Sequence, residues 1–218
     1  MWCINEINTE YRKRMYRLLK LYSENYNPKY PIICFDEKHK QLIDDTKPRI
    51  PMKLGTPEKY DYTYKRNGTA NIFVAVDFKG GKRDIMVTDR RTKADFAHYI
   101  KHLVDDVFPD AKKLRIVMDN LNTHTYSSIL ETFEFKEAVE LISKLEFHYT
   151  PIHASWLNIA EIEINVMDIE CTGGRMKNKN YLISETTAWC DERNKKESKI
   201  YWNFTKEKAD KKLSKYYI

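Results

Sequence analysis

The chain has 218 residues and a mass of 26.1 kDa, 42% hydrophobic and 32% charged, which suits one sizeable hydrophobic core and excludes a miniprotein held by disulfides. A mean hydropathy of −0.68, with no apolar run near the roughly 18 residues that a span needs, excludes a protein threaded through a membrane by helices. The net charge of +6 lies in the tail, because residues 171–218 hold 12 Lys/Arg against 6 Asp/Glu while residues 1–170 hold 26 of each.

A basic tail beside a neutral body suits contact with a polyanion, since phosphate is neutralised by local Lys and Arg. A solvated lysine-rich face is the plainer alternative. Cys3, Cys34, Cys171 and Cys190 stand far apart with no C-x-x-C pair, so reduced, mostly buried thiols are expected rather than a zinc site or a disulfide framework. The N-terminal residues mix Arg12, Lys13, Arg14 and Arg17 with apolar ones and show no secretory signal, which points to a cytoplasmic protein.

In chain order, residues 9–22 form an amphipathic lead-in helix, with Tyr11, Met15, Leu18, Leu19 and Tyr22 on one stripe. Residues 31–36 are an apolar run too short for a helix and read as a buried strand ending in an acid. Residues 37–60, with Pro48, Pro51, Gly55 and Pro57 and little periodicity, read as an extended arm. Asn67-Gly68, between alternating and apolar stretches, predicts a hairpin, and Gly80-Gly81 leads to a further strand over 83–88. Thr92 with Asp95 resembles a capping box opening a helix that stops near Pro109. A second acid-ended strand over 114–119, a helix over 127–144, a strand over 145–149 and a helix from near Asn158 complete the core.

The order is that of an α/β fold, a mixed sheet flanked by helices, and sheets of that kind place ligands at strand ends. Each of Cys34-Phe35-Asp36-Glu37-Lys38, Met118-Asp119-Asn120-Leu121-Asn122-Thr123-His124-Thr125 and Ser155-Trp156-Leu157-Asn158-Ile159-Ala160-Glu161 presents a carboxylate at an element boundary. Three carboxylates from separate elements suffice for Mg²⁺, which keeps water and substrate phosphate among its ligands. Two such ions about 4 Å apart can serve an in-line phosphoryl displacement without a covalent nucleophile.

These three blocks resemble the catalytic motifs of mariner-type DDE transposases, and the stretch from Lys65 to Phe73 resembles the bacterial insertion sequence 630 branch. The resemblance implies a ribonuclease-H-like, retroviral-integrase-like core over 31–170 with a mixed five-stranded sheet. A lead-in helix precedes it (1–30) and a basic helical tail follows (171–218). It implies Asp36, Asp119 and Glu161 as catalytic ligands of two Mg²⁺ or Mn²⁺ ions. Asn120, Asn158, His124 and Trp156 stand next to them. His124 either orients a ligand or phosphate or caps the next helix; Trp156 either stacks on an unpaired base or packs in the core. Glu37 is expected to face away from Asp36, at the surface or behind the ligands, and Glu163 to point away from Glu161. DNA phosphates are expected at Lys65, Arg66, Arg175, Lys177 and Lys179.

The implied function is a metal-dependent endonuclease and strand transferase that cuts double-stranded DNA at insertion-sequence ends and joins the freed 3′-hydroxyl to target DNA, typically at TA. A homodimer associated with the bacterial nucleoid is expected. The family's helix-turn-helix region has no counterpart before Asp36, so the chain is expected to be the catalytic half of a transposase, whether from a split reading frame, in which case a separate helix-turn-helix polypeptide serves it, from a decayed copy or from a trimmed one. Two other readings stand beside this one: a catalytically silent or truncated DNA-binding remnant, and an RNA-cleaving nuclease on the same fold.

Overall fold

The computed structural model describes residues 6–218, so Cys3 lies outside the described residues. Five strands, β1 (Ile32–Asp45), β2 (Tyr64–Asp77), β3 (Lys82–Thr88), β4 (Leu114–Met118) and β5 (Leu145–Tyr149), form one mixed sheet in the order β3-β2-β1-β4-β5. β1 pairs antiparallel with β2 and parallel with β4, which pairs parallel with β5. β1 is therefore central, and alternation along it sorts its side chains onto two buried faces. Ile33 and Phe35 face a layer of α2 (Lys93–His102), α3 (Tyr126–Thr132) and α4 (Phe135–Ser143), where Phe96, Tyr99, Ile100, Ile129 and Leu141 are buried. Ile32 and Cys34 face α1 (Thr9–Ser23) and the segment leading into α5 (Ala160–Met167). α6 (Lys179–Lys195) covers β2 and β3 through Leu182, Trp189 and Cys190, and α7 (Lys206–Leu213) packs on α1. The expected mixed sheet flanked by helices is present, and the C-terminal residues lie against it.

Local chemistry explains most of the element ends. Asn8 caps α1 by accepting from the Tyr11 N–H at 2.8 Å. Thr92 and Asp95 form the expected capping box on α2. Gly81, at φ +79°, lets the Asp77–Lys82 turn close with its N–H on the Asp77 carbonyl at 2.8 Å.

Three expectations need correction. Residues 37–45 are not arm: β1 runs on through them, because β2 is long enough to pair with them as far as Asp45↔Tyr64, and the arm proper is residues 46–63. Asn67-Gly68 is not a hairpin. β2 passes straight through it, and the register shift between Gln41↔Thr69 and Ile43↔Arg66 sets both residues opposite Leu42, a bulge with Gly68 at φ +93°. The helix over 127–144 is two helices, because Phe133 and Glu134 take extended backbone and Phe133 turns against the His98 ring at 5.0 Å.

Cys34 and Cys190 are buried free thiols, each pushed up to about 12 by burial, and Cys171 is a half-buried free thiol. No helix among the described residues is long and apolar enough to cross a membrane.

Candidate active site

The register that pairs Ile32 with Arg115 and Cys34 with Val117 places Asp36 level with Asp119 just beyond the paired ends of adjacent parallel strands. Parallel neighbours lie about 4.8 Å apart, so two acids at one level sit close by construction of the sheet. Glu161, in the first turn of α5, lines the same cleft as Asp36, along with Lys38 and Asp168. Asn158 seats that helix on the strand: its buried amide donates to the Phe35 carbonyl at 2.8 Å and to Asp36 Oδ2 at 3.3 Å.

Asp36 bears the electrostatic cost of this gathering. Its carboxyl is raised to about 7, first by burial and then by the negative charges of Asp119, Glu161 and Glu37, against the Glu37 N–H that donates to Oδ1 at 2.8 Å. Among the described residues no three His, Cys, Asp or Glu side chains are yet spaced to hold a single ion. The donors are nonetheless all hard oxygens, and a buried carboxylate crowded by acidic neighbours is what a divalent cation would relieve. In chemistry the residues fit Mg²⁺ or Mn²⁺.

His124 lies behind the acids. It is fully buried, with Nδ1 2.7 Å from Asp119 Oδ1 and Nε2 2.8 Å from Glu37 Oε1. Burial pulls its pKa down, but the two carboxylates outweigh that and push it up to about 9. A neutral ring has a single N–H and cannot donate to both acids, so this is an imidazolium clamped between them. The helix-capping alternative does not hold, since Thr125 caps α3 and His124 bonds Asp119 and Glu37 instead. Glu37 departs from the surface alternative: its side chain is 2% exposed and lies on the same face as Phe35. The readable signal was alternation, since a carboxylate two residues after a core Phe needs a buried partner.

Asn120 is fixed from both sides, donating to the Thr150 carbonyl at 2.6 Å and accepting from Arg14 Nη1 at 2.8 Å. Trp156 is half-buried edge-on to Phe204, ring centroids 5.5 Å apart, and also lines a groove beside Arg14. Glu163 does point away from Glu161, into a buried cluster with Arg83 Nε at 2.8 Å and Arg193 Nε at 2.7 Å. Sequence reading missed this cluster. His102, the last residue of α2, bonds Asp106 and Asp84. Of the expected phosphate contacts, Lys65, Arg66 and Lys177 are exposed. Arg175 is bound to Asp45 and stacked over Tyr60, and Lys179 pairs with Asp89.

Residues 31–183 match the family model described as DDE superfamily endonuclease. No curated protein matches the chain. Among solved structures the chain is similar to the Mos1 mariner paired end complex with Mn, at 14% identity and TM-score 0.56, covering 91% of this chain and 61% of that one. It is also similar to the Mos1 strand transfer complex (13%, 0.54; 93% and 66%) and the Mos1 paired end complex with Mg (14%, 0.54; 99% and 65%). It thus spans less than two thirds of those chains. The shared fold is ribonuclease-H-like.

Proposed function

The chain belongs to the DDE superfamily endonuclease family, and from that premise we propose that it is the catalytic domain of a mariner-like transposase. The observation that carries this reading is the placement of Asp36, Asp119 and Glu161 at one end of the sheet, with the charge of the other two acids loaded onto Asp36. The substrate is double-stranded DNA at the ends of a mobile element. Water attacks the scissile phosphorus and frees a 3′-hydroxyl, which then attacks a phosphodiester of the target, at TA, and displaces its 3′ oxygen. A homodimer, a helix-turn-helix region that reads the element's ends and a place on the bacterial nucleoid belong to the same proposal, as does membership of the insertion sequence 630 branch.

Asp36, Asp119 and Glu161 would hold the Mg²⁺ or Mn²⁺. When bound, a pair of such ions supplies the Lewis acidity that activates the attacking oxygen and stabilises the leaving one. The other residues set positions. His124, clamped by Glu37, fixes the Asp119 carboxylate and leaves its second oxygen free. Asn158 holds Asp36 against the start of α5, and so keeps Asp36 and Glu161 in one cleft. Asn120, held by Arg14 and Thr150, shapes the loop after Asp119.

The test is nicking of supercoiled DNA by the purified chain with Mn²⁺ or Mg²⁺. Asp119→Asn nearly preserves shape and removes charge, so it should abolish nicking and spare folding. Undiminished nicking by that variant, with contaminating nuclease excluded, overturns the mechanism. A wild-type chain that binds DNA and never cuts would instead be the silent remnant.

A further inference from the structure

The basic character of the molecule is concentrated more narrowly than the tail. α1 and α7 are distant in sequence and packed together in space. Tyr16 and Tyr217 both hydrogen-bond Asp210, the Lys206 ammonium lies 4.7 Å above the Tyr16 ring, and the Arg12 guanidinium lies 5.3 Å from the Tyr217 ring centroid. Residues 9–23 and 206–216 together hold ten Lys/Arg against three acids, Glu10, Glu207 and Asp210. That surplus of seven exceeds the +6 of the whole chain, so everything else is close to neutral. Asp210 is engaged by the two tyrosines. Of the ten cations Arg14 alone is ion-paired among the described residues, to Glu10 at 3.0 Å. Most of the other nine, Lys13, Arg17, Lys20, Lys208, Lys211 and Lys212 among them, are exposed.

Two like-charged helices packed together repel each other, and dispersed charge would serve solubility without that cost. The arrangement suits a polyanion whose spaced phosphates take up the surplus. The surface is also continuous with the carboxylate end of the sheet. Arg14 of α1 holds Asn120, the residue after Asp119, and Arg14 also lines a groove of about 1170 Å³ together with Tyr11, Trp156, Trp202 and Lys212. We propose that the α1–α7 face binds the phosphate backbone of the duplex DNA on which the carboxylate cleft acts. This rests on the transposase reading and adds where the DNA flanking the cut lies, on a surface different from Lys65, Arg66 and residues 175–179.

The experiment is fluorescence anisotropy of a labelled DNA duplex titrated with the full chain in EDTA from about 50 to 200 mM KCl, which needs neither metal nor catalysis. Each lysine that meets a phosphate contributes about 0.9 to the slope of log K against log salt, so Lys208/Lys211/Lys212→Gln should lower its magnitude by up to about 2.7. An independent α1 variant, Lys13/Arg17/Lys20→Gln, should do the same. Lys195/Lys196/Lys199→Gln, beyond the α1–α7 face, should leave the slope as it is. Unchanged slopes in both the α1 and α7 variants, with wild-type circular dichroism, overturn the face and leave the transposase reading standing. A wild-type chain without salt-sensitive DNA binding overturns both.

Discussion

Glu37 reaches His124 at 2.8 Å from the face of β1 opposite to the one that presents Asp36, so two consecutive carboxylates serve one site from two sides of a strand. Asp36 faces the cleft. Glu37 acts through the imidazolium on Asp119.

His124 should therefore remain protonated well above neutral pH. Its pKa of about 9 lies above the ordinary value near 6.5, so its contribution to stability is complete below about pH 6.5 and is lost as pH rises through 9. Ring-proton NMR of the metal-free chain should show it titrating near 9, and Glu37→Gln should lower that value by removing one of the two charges. A His124 signal titrating near 6.5 in the wild type would contradict the clamp. His124→Ala leaves the buried Glu37 carboxylate unpaired and should cost about 3–5 kcal/mol.

Asp36 shifts stability in the same direction with pH, although here it is the neutral form that the fold favours. Its pKa of about 7 exceeds the unfolded value near 3.9, so it favours the fold fully below about pH 4, and that contribution is lost as pH rises through 7. In metal-free protein at pH 8, Asp36→Asn removes a penalty of up to about 4 kcal/mol and should raise Tm by up to roughly 8–16 °C, with little change at pH 4. Mn²⁺ should raise the Tm of the wild type at pH 8 and leave that of Asp36→Asn nearly unmoved. Differential scanning fluorimetry at the two pH values checks all of this.

Glu161 and Glu163 should separate activity from stability. Glu163→Ala leaves Arg83, whose side chain is 0% exposed, without its closest counter-charge, and should cost about 3–5 kcal/mol in urea unfolding. Glu161→Gln removes a repulsive neighbour of Asp36, so it should leave stability level or slightly raised while nicking disappears. If the two variants unfold alike, the division of labour on α5 is wrong.

Asn158→Ala should destabilise by about 1–3 kcal/mol, because the Phe35 carbonyl and the Ala160 N–H lose a buried partner. The loss of a donor to Asp36 should also move its carboxyl further upward, read as a higher pH midpoint for Mn²⁺-induced stabilisation.

Features encoded locally were legible in the sequence. The buried strands at 31–36, 114–119 and 145–149, the Thr92–Asp95 box and the Gly80-Gly81 turn each depend on a few adjacent residues, and all are present. Asp119, directly after β4, was legible for the same reason, whereas Asp36 does not end its strand, since β1 continues to Asp45. What was not legible depends on partners far along the chain. Asn67-Gly68 has the chemistry of a turn, but pairing of β2 with residues 37–45 overrides it and leaves a bulge. Glu37 and Glu163 look like solvent-facing acids until Leu121–Thr125 and β3 bring His124 and Arg83 beside them. The positive surface was credited to the tail and to Lys65 and Arg66 rather than to α1, because nothing in the sequence shows that α7 lies on α1.

The bridge between Ile7 and Tyr217, with the Ile7 N–H on the Tyr216 carbonyl at 2.7 Å, brings the two ends of the described residues side by side. Covalent order and spatial order are then interchangeable at that point. A circular permutant that joins Ile218 to Glu6 through a short linker and opens between Leu54 and Gly55, at the solvent-exposed tip of the arm, should retain the sheet, both helical layers and the carboxylate cleft. Its new ends would emerge far along the sequence from the cleft, giving a place to attach a probe or a DNA-reading module without disturbing α1 or α7.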